Sequence, residues 1–174
     1  DKYTDLILVG DSLGSVLYNY KSTRNVTLNT MIEHSKSVRL GIIKSLMIVD
    51  MPYNTYRNKK QALRNCKKII KETKCDGVKL EGGEKIKNIV NHLTINKIPV
   101  MGHIGVLPQL VKGKFKFKGK SEKDKKQLMK DAITLEKMGS FAIVLECVEK
   151  NLSKKITKIL KIPTVGIGSS HHCD

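Results

Sequence analysis

The chain has 174 residues, enough for one domain with a buried core and too few for several. With 33 basic against 16 acidic residues its formal charge is +17. The excess is mostly Lys spread over several segments, which reads as a solvated face and argues against nucleic-acid binding, where Arg and interleaved aromatics would be favoured.

Only Phe115 and Phe117 interleave with a basic run. No apolar stretch is long enough to span a bilayer, and no signal peptide is visible. The four cysteines make no CxxC pair. That fits a reducing, cytoplasmic setting better than a disulfide framework. The chain begins with Asp and is read as part of a longer protein.

The first apolar run, Leu6-Ile7-Leu8-Val9, predicts a strand ending on Gly10-Asp11-Ser12. Thr27 to Leu40 predicts a helix with Leu28, Met31, Ile32 and Val38 as its apolar positions and Gly41 as its stop. Leu46 to Val49 is a second strand, ending on Asp50. Residues 59–73 place Ala62, Cys66, Ile69, Ile70 and Thr73 along one helical face. Gly77 to Leu80 is a third strand, carrying Lys79 and ending on Glu81-Gly82-Gly83. Residues 85–95 form a helix with Ile86, Ile89, Val90 and Leu93 on one face. Ile98 to Met101 is a fourth strand, running into Gly102-His103. Pro99 stands at its start, where a missing N–H is tolerated.

The segment Lys112–Lys126 reads as an exposed loop running into a helix that Ser121-x-x-Asp124 opens and Gly139 ends. Ile143 to Leu145 is a fifth strand, ending on Glu146. Ser153 is expected to cap a short helix through Leu160, with Ile156, Ile159 and Leu160 inward. Pro163 to Ile167 is the last strand.

Near-continuous apolar strands alternating with helices predict a parallel sheet covered on both faces. Two architectures compete, a doubly wound open sheet and a (β/α)₈ barrel. A polar residue at the end of nearly every strand favours the barrel, whose site draws on several strands, over a single switch point. A whole barrel takes about 250 residues, so residues 1–174 are read as one partial (β/α)₈ catalytic domain.

In that fold Asp11, Ser12, Asp50, Lys79, Glu81, His103 and Glu146 gather at one rim. Asp11, Asp50 and Glu81 are three carboxylates that repel unless a cation lies between them, and an all-oxygen set suits Mg²⁺. The alternative is that each caps a helix or turn. Lys79, on the same strand face as Glu81, needs a negative partner, either a substrate oxygen or one of these acids. Glu146, following an apolar run, suits a general base; it would otherwise form a salt bridge to a lysine. His103 could donate to a substrate oxygen or serve structure alone. Gly82-Gly83 and Gly166-x-Gly168 are weak phosphate-loop signals. His171-His172-Cys173-Asp174 has metal-binding residue types, but four consecutive residues cannot all face one ion.

The strings VGDSLG (9–14), VDMPY (49–53), VKLEGG (78–83), GHIGVLPQ (102–109), VLECV (144–148) and GIGSSHHCD (166–174) stand in the order of the ketopantoate hydroxymethyltransferase family, which the chain resembles throughout. The resemblance implies an incomplete (β/α)₈ barrel supplying strands two to seven. It implies Mg²⁺ bound through Asp11, Asp50 and Glu81. It implies 3-methyl-2-oxobutanoate held by Asp11, Ser12, Asp50, Lys79 and His103, with Glu146 as proton acceptor. The implied reaction is transfer of a hydroxymethyl group from 5,10-methylenetetrahydrofolate through a Mg²⁺-stabilised enolate, giving ketopantoate for pantothenate synthesis. A homo-oligomer is implied too. Two departures stand out: the loop after Pro108-Gln109 is short and lysine-rich, and Ser169-Ser170 replace a small residue and a glycine. The alternatives are a folate-independent barrel lyase or aldolase acting on a small 2-oxoacid and, from another class, a basic nucleic-acid-binding protein using Lys112–Lys126.

Overall fold

The computed structural model describes residues 1–111 and 115–174. Its six strands are β1 (Leu6–Val9), β2 (Leu46–Asp50), β3 (Gly77–Glu81), β4 (Val100–Gly105), β5 (Ala142–Glu146) and β6 (Thr164–Ile167). They form one sheet in the order of the chain, with every neighbouring pair parallel. A doubly wound sheet reverses its strand order at a switch point. This one never does, so the six strands curl as part of a (β/α)₈ barrel.

The crossovers are α1 (Leu13–Tyr18), α2 (Leu28–Gly41), α3 (Lys59–Thr73), α4 (Lys87–Ile95), α5 (Glu122–Lys137) and α6 (Lys150–Ile159). The pleat sends alternate residues to opposite faces. Met47, Val49, Val78, Leu80, Val100, Ile104, Ile143 and Leu145 join the helices in the main core. Ile48, Met101, Ala142 and Val144 form a smaller cluster on the other face, with Leu6, Leu8 and Phe141 against it. Burial on both faces is why the central strands read as unbroken apolar runs. The Pro99 and Pro163 carbonyls accept from Val78 and Ile143, so each proline serves the sheet through the group it retains.

Capping explains most of the helix boundaries. The side chains of Thr27, Asn58 and Ser121 accept from the backbone N–H three residues on. Gly139, at φ +89°, follows the end of α5. The helix from residue 85 is entered through a 3₁₀ turn, Glu84–Ile86.

Two expectations are corrected. The last helix starts at Lys150, not Ser153, because the Glu149 carboxylate accepts from the Asn151 and Leu152 N–H groups. Ser153 is buried inside α6, its hydroxyl bonded back to the Glu149 carbonyl. Ile159 is exposed, and Ile156 and Leu160 carry the inward face. The short helix α1 was not expected. Val16 and Leu17 are exposed there, and no side chain caps it, so it carries no apolar periodicity to read.

In the Lys112–Lys126 segment, residues 112–114 lie outside the described residues, and Phe115 and Phe117 are exposed. Lys118 pairs with the turn after β5. Among the described residues no helix is long and apolar enough to cross a membrane. All four cysteines are free thiols.

Candidate active site

Strand register brings the polar residues together. Asp50 lies beside Lys79, Glu81 beside His103 and Gly105 beside Glu146, all at the C-terminal ends of their strands. Lys79 is almost wholly buried, with Nζ 3.0 Å from Asp50 Oδ1 and 3.0 Å from His103 Nδ1. An ammonium can only donate, so His103 Nδ1 accepts and the ring proton of the neutral imidazole sits on Nε2. Nε2 in turn lies 3.2 Å from Glu146 Oε2. Burial, reinforced by the Lys79 charge, pulls His103 below its ordinary value, which agrees with a neutral ring. Burial works against the Lys79 charge too, but Asp50 and Glu81 outweigh it and hold Lys79 above its usual range.

The Asp11 backbone N–H donates to Asp50 Oδ2 at 3.0 Å. Asp11, Asp50, Lys79, His103, Glu81 and Glu146 thus form one connected set, with four carboxylates facing one ammonium. Burial and the charge of Asp50 push Asp11 up to about 6. Burial likewise pushes Glu81 up to about 8, against the opposing pull of Lys79. Both acids bind protons more readily than usual chiefly because burial disfavours their charged form, with neighbouring carboxylates adding to it.

Gln109, which the residue pattern did not single out, joins this set. It is 1% exposed. Gly105, at φ +100°, turns the chain at the end of β4, and the Val106 N–H then donates to the Glu146 carbonyl. The following segment crosses the strand ends. There Gln109 Nε2 donates to Asp11 Oδ2 (2.8 Å) and to the Met51 carbonyl (2.9 Å). The Gln109 backbone N–H donates to Glu81 Oε2 (3.0 Å), and the Tyr56 hydroxyl donates to Gln109 Oε1 (2.6 Å). Arg24, stacked over the Tyr53 ring at 4.7 Å, donates from Nε to the Gln109 carbonyl. A neutral amide in a short loop has neither the charge nor the periodicity that would mark it in a sequence.

Other expected residues are not hydrogen-bonded into this set through their side chains. Ser12 is exposed at the rim and caps α1 through its backbone alone. Gly82-Gly83 has a packing role, since a Cβ on Gly83 would lie 2.1 Å from Asp131. Gly168 turns beside Cys147. His171 and His172 contact each other, while Asp174 accepts from Thr164.

Among the described residues no group of three His, Cys, Asp or Glu side chains is arranged to hold a metal ion. The chemistry of the set nevertheless fits one. Asp11, Asp50 and Glu81 are hard oxygen donors, two of them pushed toward protonation, in a pocket where negative charge prevails.

A family model described as ketopantoate hydroxymethyltransferase matches residues 1–174. The 3-methyl-2-oxobutanoate hydroxymethyltransferase of Pelagibacter ubique is 63% identical over 174 residues, covering all of this chain and 67% of that protein. The protein of the same description from Rhizobium rhizogenes is 47% identical over 177 residues, covering all of this chain and 65% of its own length. The chain thus spans about two thirds of the curated relatives it matches.

Among solved structures, a 2,3-dimethylmalate lyase of the PEP mutase/isocitrate lyase superfamily shares the fold with a TM-score of 0.62 at 10% identity, covering 94% of this chain and 59% of that one. An oxaloacetate acetylhydrolase in complex with oxalate does so with a TM-score of 0.66 at 11% identity, covering 95% and 60%. The match over every residue, and its agreement with the strand-end motifs, establish that the chain belongs to the ketopantoate hydroxymethyltransferase family.

Proposed function

We propose that this chain carries the site at which a hydroxymethyl group is added to C3 of 3-methyl-2-oxobutanoate to give ketopantoate. The observation that carries this reading is the contact chain Asp50–Lys79–His103–Glu146, in which a neutral imidazole stands between a buried cation and a carboxylate of intermediate exposure. The names of the relatives supply the substrate.

Lys79 offers its charge to a carboxylate or keto oxygen of the 2-oxoacid. Glu146, with Oε2 3.2 Å from His103 Nε2, takes the proton from C3. The carbon so released bonds to the one-carbon unit of 5,10-methylenetetrahydrofolate, with water supplying the hydroxyl oxygen and tetrahydrofolate leaving. A Mg²⁺ ion, when bound by Asp11, Asp50 and Glu81, would polarise the keto carbonyl and make C3 more acidic. Ser12, at the rim, would contact the substrate from the open side. Homo-oligomer assembly and a cytoplasmic setting belong to the same reading. Exposed apolar residues such as Val16 and Leu40 support the first, and the free thiols support the second.

The test follows loss of the C3 proton of 3-methyl-2-oxobutanoate in D₂O by NMR, in the full-length protein with Mg²⁺. Glu146→Gln is expected to slow exchange by about 10²- to 10⁴-fold. Equal exchange in the folded variant would remove Glu146 from its role. Exchange in the wild type without folate-dependent ketopantoate formation would point to a lyase or aldolase of the same fold.

A further inference from the structure

Gln109 has every polar atom engaged, and five chain segments converge on it. Its amide orientation is dictated by its neighbours. Asp11 Oδ2 and the Met51 carbonyl can only accept, so the NH₂ group must face them and Oε1 must face the Tyr56 hydroxyl. The Tyr56 oxygen sits 3.4 Å from the Glu81 backbone N–H. One side chain therefore ties together the ends of β1, β2 and β3, while its own backbone N–H holds the Glu81 carboxylate. Arg24 fixes the loop from outside through the Gln109 carbonyl.

We propose that Gln109 is a positioning residue that sets the Asp11 and Glu81 carboxylates relative to each other for a divalent cation, and that Tyr56 acts through it. The inference rests on the cation reading given above. Loop packing alone would need only the bulk of the side chain. Holding two acids in register needs its donors, since a carboxylate turned away from its partner no longer presents the oxygen pair an ion requires. Tyr56 directs the hydrogen bonds of its hydroxyl to the Gln109 amide oxygen and the Glu81 backbone N–H, not to a carboxylate. Its hydroxyl reaches the site by fixing the amide, so its effect depends on Gln109 being present.

The experiment is calorimetric titration of the full-length protein with MgCl₂ alone, for wild type, Gln109→Met, Tyr56→Phe and the double variant, with folding checked by circular dichroism. Gln109→Met keeps the shape and removes the side-chain hydrogen bonds. It is expected to weaken Mg²⁺ binding by about tenfold or more, the lower end of the effect for groups that orient metal ligands. Tyr56→Phe is expected to weaken binding several-fold in the wild-type background and to have no further effect in Gln109→Met, since residues in one network are non-additive. A folded Gln109→Met that binds Mg²⁺ as the wild type does overturns the proposal alone. Full additivity overturns the route through Tyr56. A wild type that takes up no Mg²⁺ overturns the cation reading and this inference with it. Should Gln109→Met fail to fold, Tyr56→Phe with unchanged Mg²⁺ affinity would still overturn the proposal.

Discussion

Glu81 shows how one residue's surroundings set its chemistry. It is 4% exposed, and burial pushes it up to about 8. An unfolded glutamate titrates near 4.3, so between these values the folded chain holds a proton that the unfolded chain releases. The sign follows: without a divalent cation, Glu81 favours folding less as pH rises through that window, and the loss is complete above about 8. Glu81→Gln, a mimic of the protonated acid, removes this dependence while still accepting from the Gln109 N–H. Thermal melts in chelator should show the variant gaining on the wild type from pH 5 to pH 9. Parallel curves would show that Glu81 is already ionised at low pH. Cys147 is a second residue-scale feature. Its φ of +50° is uncommon for a side chain with a Cβ, and it directly follows Glu146. There its N–H donates to Ile167 and its carbonyl accepts from Lys118, which ties the candidate base to β6 and to the lysine-rich segment.

At the scale of elements, the turn after β4 decides whether the site is assembled. A Cβ on Gly105 would lie 2.2 Å from the Glu146 carbonyl oxygen, at a φ that side chains rarely adopt. Gly105→Ala is expected to destabilise the fold by about 2 kcal/mol or more. It should also slow C3 exchange although no polar group is removed, because it displaces the loop that carries Gln109. Urea unfolding and the exchange assay measure the two effects separately, and an alanine variant with wild-type values in both would show that the turn has room to spare. The elements themselves were largely legible. The apolar runs gave all six strands, and α3 falls on 59–73 as its periodicity indicates. The start of α6 was misplaced because Glu149, a less common cap, is used ahead of Ser153.

Across the whole molecule, a strongly basic exterior surrounds a pocket in which carboxylates outnumber lysines. The charge of +17 favours the approach of an anionic 2-oxoacid over a distance set by screening. Raising the ionic strength from about 0.01 M to about 0.15 M shortens the Debye length from about 30 Å to about 8 Å. kcat/KM for 3-methyl-2-oxobutanoate is expected to fall several-fold over that range while kcat stays nearly constant. A salt-independent kcat/KM would mean that the lysines act only as a solvated surface. The strand order belongs to this scale as well. Consecutive strands always pair, so the polar ends line a continuous arc, and Asp11 on β1's edge meets Gln109 from the far side of β4.

By itself the sequence determined the βα alternation and the strand-end positions of Asp11, Asp50, Lys79, Glu81, His103 and Glu146. It did so because burial on both faces of a parallel strand leaves a pattern in the order of residues. Only the tertiary structure decided that Ser12 is exposed at the rim, that His103 is neutral between Lys79 and Glu146, and that Gln109 bridges the carboxylates. Those outcomes depend on register, burial and hydrogen-bond direction between segments far apart in the chain, and none of these leaves a local mark.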